Sequence, residues 1–323
     1  MKYSIAAIQI VIGALTVFVA QSQRPEFRND YRFEKAFNAF YKVHFVPEPW
    51  AKARIRCEAE GTELMVPENL DEADALPVLI MGILDKFLGV YVGMHDLYAE
   101  RVFVTINGNV MLHSILNLLW EQKEPEFKGG RCVAMRRSGR LFMHPCEKPL
   151  PFVCKVSAQR IVPKPECNSY NLNWTKGPNE TCYMAHIEPQ NWFDAYSTCL
   201  AGGGNLVVLN DREEAEYIKQ LFKEIGERRM PNNDIAFLGF SDLFQQHHYR
   251  TVHGERVQDT GYSDWDLKCS SNNASGRVKE QRCGSVRRSG LLTVSDCNTP
   301  AMFFCEKPAN HPSRLARAVS KHP

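Results

Sequence analysis

Two stretches of this chain repeat one succession of apolar and polar positions. In the first, Tyr41, Val43 and Phe45 alternate with Lys42 and His44, as in a half-buried strand over Phe40 to Phe45. Glu48-Pro49-Trp50 breaks the alternation, and Ala51, Ala53 and Ile55 set among charges predict a short helix ending near Glu60. Pro67 to Leu88 predicts a second helix, because Glu68, Asp71, Glu72 and Asp74 at its start suit the positive end of a helix dipole. Val90 to Met94 reads as a strand. A long stretch without periodicity follows, and Cys132 to Met135 and Pro151 to Val156 are the closing strands. The order strand, helix, helix, long loop, strands returns after Cys167. There the first helix ends at Ala201-Gly202-Gly203-Gly204, and Asp211 to Glu227 is the second.

The segments outside these repeats differ in kind. Lys2 followed by an apolar run from Ile5 to Ala20, with small Ala20 and Ser22, predicts a secretory signal peptide over residues 1–22. That run is shorter than the roughly 20 residues a membrane span needs, and no other stretch is long enough. Residues 23–35 are polar and read as an N-terminal arm. Residues 156–166 read as a linker, since Pro163 and Pro165 favour extended backbone. Residues 309–323, with Arg314, Arg317 and Lys321 and no apolar period, read as a disordered basic tail.

The cysteines repeat with the elements. Cys57, Cys132, Cys146 and Cys154 are matched by Cys199, Cys283, Cys297 and Cys305, with both short intervals kept. Trp50 and Trp192 precede the first cysteine of each set by the same offset. Arg136-Arg137-Ser138-Gly139 recurs as Arg287-Arg288-Ser289-Gly290. Self-similarity of this length is tandem duplication of a domain rather than a solenoid repeat. The 11 cysteines of a secreted chain read as disulfides, and no Cys-x-x-Cys pair or Cys/His cluster offers a zinc spacing. Asn173, Asn179 and Asn273 open glycosylation sequons. A net charge of +2 on 323 residues gives no support to a nucleic-acid partner.

Taken together, these residues resemble the C-type lectin-like domain, and the tandem, secreted arrangement resembles the dual-domain immulectins of insects. The resemblance covers residues 36–155, as domain 1, and 167–308, as domain 2. It implies an α+β fold: two tandem domains, each with two helices, small antiparallel sheets and a long loop region. It also implies the disulfides Cys57–Cys154, Cys132–Cys146, Cys199–Cys305 and Cys283–Cys297, with Cys167–Cys182 as the extra bridge of a long-form second domain. The first domain has Phe40 at that offset, so it looks like the short form. The family's buried Trp-Ile-Gly-Leu strand is matched by Tyr91-Val92-Gly93-Met94 and Phe237-Leu238-Gly239-Phe240.

Sugar-binding members of the family hold Ca2+ through several oxygen ligands. In the first domain Trp120 precedes Glu124-Pro125-Glu126 at the offset of the family's loop motif. Glu126 replaces an amide, and the other ligand positions hold Gly130, Phe142 and Met143, none with a side-chain oxygen. In the second domain Trp265 is kept, but Cys269-Ser270-Ser271 occupies the motif position, with Gln281, Thr293 and Val294 at the later ones. We therefore assign no metal; Glu124 and Glu126 are the one weak candidate pair for calcium.

Basic residues gather where those ligands are missing. Lys123, Lys128, Arg131, Arg136, Arg137 and Arg140 outnumber Glu124 and Glu126 in one loop region; Lys268, Arg277, Lys279, Arg282, Arg287 and Arg288 face only Glu280 in the other. Arginine forks suit phosphate and sulfate. The candidate ligand-binding residues are thus Trp120, Glu124, Glu126, Arg131, Arg136, Arg137, Arg140, Trp265, Arg277, Lys279, Arg282, Arg287 and Arg288. The competing reading makes these arginines solvated hairpin tips. The expected function is a pattern-recognition lectin of innate immunity, binding microbial glycans or lipopolysaccharide with little calcium dependence, with haemocyte or immune-cascade proteins as further partners. The alternative is a lectin-like module that has lost sugar binding and recognises a protein. No catalytic motif supports an enzyme. Cys269 is left over from the implied pairs and suggests a homodimer bridge or a free thiol.

Overall fold

The computed structural model describes residues 26–80, 86–111, 115–125, 130–226, 233–266 and 281–309. The signal segment, residues 310–323 of the basic tail, Glu126, Cys269, Asn273, Arg277 and Lys279 lie outside them, whereas Ala309, read as the start of the tail, is buried. Two units of the same topology follow one another. The first contains β1 (Arg32–Glu34), β2 (Ala39–Glu48), α1 (Trp50–Ala59), β3 (Glu63–Leu64), α2 (Leu70–Leu79), β4 (Val90–His95), β5 (Val104–Thr105), β6 (Cys132–Met135), β7 (Leu141–His144) and β8 (Leu150–Ser157). The second contains β9 (Thr175–Lys176), β10 (Thr181–Gln190), α3 (Trp192–Ala201), β11 (Asn205–Leu206), α4 (Arg212–Glu224), β12 (Ile235–Ser241), β13 (Arg250–Thr251), β14 (Gln281–Arg287), β15 (Leu292–Asp296) and β16 (Ala301–Pro308). Each forms an eight-stranded sheet, ordered β1-β2-β8-β4-β6-β7 and β15-β14-β12-β16-β10-β9. Pairing is antiparallel except where β4 meets β8 and β12 meets β16. The fold is α+β, with four α-helices among the described residues.

The repeated residues explain the repeated shape. Trp50 and Trp192 open α1 and α3 and donate through Nε1 to the carbonyls of Val92 and Leu238, at 2.9 and 2.8 Å. Each helix is thereby pinned to the central strand of its sheet. In those strands a Cβ on Gly93 would lie 2.5 Å from Leu64 O, and one on Gly239 would lie 2.4 Å from Leu206 O. Only glycine permits that backbone approach. The disulfides join Cys57–Cys154, Cys132–Cys146, Cys167–Cys182, Cys199–Cys305 and Cys283–Cys297, the pairs that the resemblance implies. For closed loops of about 100 residues such a link is worth roughly 4–5 kcal/mol in the chain-entropy model, and for about 15 residues roughly 3.

Several expectations differ from the structure in instructive ways. The second helix of the first unit, expected within Pro67 to Leu88, is the ten-residue α2. Asn69 caps it, accepting from the Glu72 N–H at 2.8 Å. Residues 26–34, read as an arm, are part of the first unit. β1 pairs with β2 as β9 pairs with β10, so the first unit has the hairpin of a long form without its disulfide. Where the second unit has Cys167–Cys182, the first packs the rings of Phe27, Tyr31, Phe33 and Phe40 at centroid distances of 4.9–5.5 Å. Apolar contact thus takes the place of the covalent clip.

The units meet along α1 and α3. Lys52 Nζ donates to Asp194 at 2.8 Å, Arg54 pairs with Glu188, and Arg56 donates to Ser197 Oγ at 2.9 Å. Arg28 reaches the carbonyl of Ala201, and Phe27 lies against Tyr170. Asn171 donates from Nδ2 to the carbonyl of Glu58 at 3.0 Å.

Candidate functional site

The loop region of each unit is anchored by its tryptophan. Trp120 bridges to Leu141 at the start of β7, and Trp265 bridges to Leu292 at the start of β15. Trp120 packs edge-on to Phe103 at 4.9 Å, and Trp265 lies against Phe240 and Tyr249 at 5.7 and 5.5 Å. Both rings are partly buried against the core, so they position the loop from beneath.

The structure separates the basic residues into two groups. Arg131 and Arg282 stand at the Cys132 and Cys283 ends of β6 and β14. Arg131 Nε donates to Asp96 Oδ1 at 3.1 Å, and Arg282 Nε donates to Asp242 Oδ1 at 3.0 Å. Each also donates to the main-chain carbonyl of the same aspartate. The aspartates are buried and accept on their other oxygen from the N–H of Arg101 or His247. These two arginines brace the loops after β4 and β12.

The remaining arginines lie at the opposite ends, on the turns joining β6 to β7 and β14 to β15. Arg136 pairs with Glu121, and its guanidinium lies 4.1 Å from the centre of the Phe142 ring. Arg140 donates to the carbonyl of Leu118 at 3.1 Å. Arg137, Arg140 and Lys123 are exposed. In the second unit Arg287 pairs with Asp234 at 2.7 Å and with Asp266. Arg288 donates to the carbonyls of Asn233, Phe222 and Gly226 at 2.7–2.8 Å and lies over the Phe222 ring. The two tips share a sequence but not a role: in the second, Arg288 caps the carbonyl end of α4.

The residues at the calcium position do not fit that ion. The Glu124–Pro125 peptide bond is cis. The Glu124 carboxylate accepts from the Met143 N–H at 3.3 Å, so it does lie beside the two β7 positions from which further ligands would come. Those positions present Phe142 and Met143, both buried and without an oxygen to offer. Burial and Lys148 hold the His144 imidazole below its ordinary value, so it is neutral there at pH 7. In the second unit the corresponding β15 side chains are Thr293, buried, and Val294. A hard cation needs six or more oxygens, and one carboxylate among apolar side chains does not supply them. Elsewhere among the described residues His44, Glu60 and Cys154 converge, but Cys154 is in a disulfide and has no thiolate to give.

The sequence reading missed the partners of the arginines. Asp96 and Asp242 stand at one offset after Gly93 and Gly239, a repeat that could have identified them. It also missed Tyr98 and Phe244. These occupy the same place on the braced loops and are 81% and 92% exposed.

The Lectin C-type domain family matches residues 46–156 and 188–307. A hemolymph lipopolysaccharide-binding protein of Periplaneta americana is 30% identical over 125 residues, which is 38% of this chain and 48% of that protein. The C-type mannose receptor 2 of Rattus norvegicus is 25% identical over 273 residues, 80% of this chain and 17% of the receptor. The chain thus spans less than half the length of these curated relatives. Among solved structures, the mouse scavenger receptor C-type lectin carbohydrate-recognition domain is similar at 23% identity and a TM-score of 0.36, covering 43% of this chain and 98% of that one. No helix among the described residues is long and apolar enough to cross a membrane. With both units matched over most of their length, the chain belongs to the C-type lectin domain family, in which it is a tandem member.

Proposed function

We propose that this chain is a secreted, non-enzymatic pattern-recognition lectin of innate immunity that binds microbial surface glycans or anionic glycolipids with little need for calcium. The observation that carries the reading is the asymmetry of the first domain. Its calcium positions are filled by Phe142 and Met143, while Lys123, Arg137 and Arg140 are exposed around the β6–β7 turn. Fixed cations without a metal suit phosphate or sulfate groups. The name of the Periplaneta americana relative, a lipopolysaccharide-binding protein, supports the same class of ligand. In this reading residues 1–22 are removed on secretion, the sequon asparagines are glycosylated, and Cys269 links two copies.

The test uses the full secreted chain on immobilised lipopolysaccharide, with and without chelator. Binding should survive the chelator and weaken as salt rises from 0.05 to 0.5 M, because exposed charges are screened within about 8 Å at physiological ionic strength. The double variant Arg137→Ala, Arg140→Ala should bind about tenfold more weakly, the loss of two exposed charge contacts of up to ~1 kcal/mol each. Binding abolished by chelator, or unchanged in the double variant, would overturn the reading.

One observation favours a second reading, recognition of a protein. Tyr98 and Phe244 are held into solvent on loops already ordered by Arg131–Asp96 and Arg282–Asp242. Pre-ordered, exposed aromatic side chains are typical anchors of protein interfaces. Loss of haemocyte-protein capture in Tyr98→Ala, Phe244→Ala with lipopolysaccharide binding intact would support it.

A further inference from the structure

A cleft lies where the two units meet, and it has an asparagine of a glycosylation sequon on its lip. The cleft has a volume of about 980 Å3. One wall comes from the first unit, with Asn107, Asn109, Val110 and Ser157; the other is the segment from Tyr170 to Asn173. Val110 and Leu172 line it while remaining 43% and 57% exposed. Amide and hydroxyl groups beside exposed aliphatic side chains match the two kinds of surface on an acetamido sugar: hydroxyls at the edge and apolar C–H groups on the ring face.

Asn173 is placed on this cleft by a chain of hydrogen bonds. Its backbone N–H donates to Asn171 Oδ1 at 3.0 Å. Asn171 is buried and in turn donates from Nδ2 to the Glu58 carbonyl of the first unit. Its position at the lip is thus tied to both units. The Asn173 side chain is exposed, and Thr175, the third residue of the sequon, is exposed in β9. The Asn179 sequon differs: its Nδ2 donates to Asp211 Oδ2 at 2.7 Å, at the N-terminus of α4.

We propose that an N-linked glycan on Asn173 lies in this cleft, its first sugars bridging the wall around Asn107–Val110 and the segment Tyr170–Asn173. The proposal rests on the secretion reading above, because the modification occurs in the secretory pathway. There a bond forms between Asn173 Nδ2 and C1 of the first N-acetylglucosamine. The bond from C1 to the donor's lipid-linked pyrophosphate breaks, and Nδ2 gives up one proton. The glycan would act as a wedge, filling space that the side chains of the two units leave open.

The test begins with full-length protein secreted from insect cells. Glycopeptide mass spectrometry should find Asn173 occupied. Hydrogen exchange at residues 103–111 should be slower in this material than in Asn173→Gln, with at least a several-fold change in rate, while Asn179→Gln leaves these residues unaltered. Because Asn173→Gln removes the glycan before folding, a second arm trims the glycan enzymatically from the folded protein; the same exchange increase should follow. Asn173 unmodified in a secreted chain, or modified with no change in exchange at residues 103–111, would overturn the proposal. Failure of the secretion reading is distinguishable: the chain would then stay in the cells, with none of Asn173, Asn179 and Asn273 carrying sugar.

Discussion

At the scale of single residues, one substitution separates the two cores. In the first unit Tyr41 pairs across the sheet with Lys155, and in the second Tyr183 pairs with Glu306. Tyr41 donates to Glu72, whose carboxylate also receives Lys155 Nζ, so a buried anion meets a cation. Tyr183 donates to Glu214, but the neighbouring charge is now Glu306. Glu214 also accepts from Asn210 N and Nδ2, and Glu306 Oε1 accepts from Val208 N at 2.9 Å. Nearby, Asp211 caps α4 and Lys307 lies over Trp174. Burial, and then the charge of Glu214, push the Glu306 carboxyl well above its ordinary value of 4.5. The folded state therefore binds a proton that the unfolded state has released, and stability falls as pH rises above 4.5 towards the folded value. His186 acts in the opposite direction over part of that range. Burial lowers it from 6.5 to about 4, so below 6.5 its protonation favours unfolding. Between 4.5 and 6.5 the two slopes therefore oppose one another. We predict that Glu306 makes the second unit less stable as pH rises above 4.5, by up to about 1.4 kcal/mol per pH unit, against the opposing slope of His186. Urea unfolding of the full chain, followed by peptide-resolved hydrogen exchange, should show this slope in residues 181–224 and not in residues 39–79. Glu306→Gln keeps the hydrogen bond from Val208 N without the charge and should flatten the slope; equal slopes in variant and parent would refute the protonated Glu306.

At the scale of elements, the matching β6–β7 and β14–β15 turns have different tasks. Arg288 satisfies carbonyls at the end of α4, where a cation also meets the negative end of the helix dipole. Arg288→Ala should therefore cost about 1–3 kcal/mol, as expected for charged hydrogen bonds to groups left without a partner. Arg137→Ala, on the exposed tip of the other hairpin, should stay within about 0.5 kcal/mol. Urea midpoints of the two variants check this; equal losses would mean that both arginines are structural. The order of elements was legible because periodicity, tryptophans and cysteines repeat with it. The role of Arg288 was not, because Arg136-Arg137 and Arg287-Arg288 are the same dipeptide, and the carbonyls that Arg288 meets lie 66 and 62 residues before it. Likewise β1 was read as an arm, since a strand of three residues is too short to show a period and only its pairing with β2 reveals it.

At the scale of the whole molecule, α1 presents Lys52, Arg54 and Arg56 to α3 and the end of β10, where Asp194 and Glu188 receive two of them. Single exposed ion pairs are worth about 0.2–1 kcal/mol, so one substitution should change little. Reversing all three, as Lys52→Glu, Arg54→Glu, Arg56→Glu, should set like charges across the junction. We predict a larger radius of gyration by small-angle X-ray scattering, with the far-ultraviolet dichroism of both units preserved. An unchanged radius would assign the junction to the contacts of Phe27, Tyr170 and Asn171 alone. A fixed junction matters for function, because linked sites gain avidity only when their geometry permits simultaneous engagement.

The sequence by itself determined that there are two domains of one kind, with matched cysteines and tryptophans; through the resemblance those residues carry, it also implied the disulfide pairs and the loss of oxygen ligands at the calcium position. These depend on residue identity at fixed offsets, which duplication preserves. Only the tertiary structure decided which arginines face solvent and which hold the fold together. An arginine's role depends on the carboxylates and carbonyls within its reach, and Asp96, Asp242, Asp234 and Phe222 reach theirs from 35 to 66 residues away.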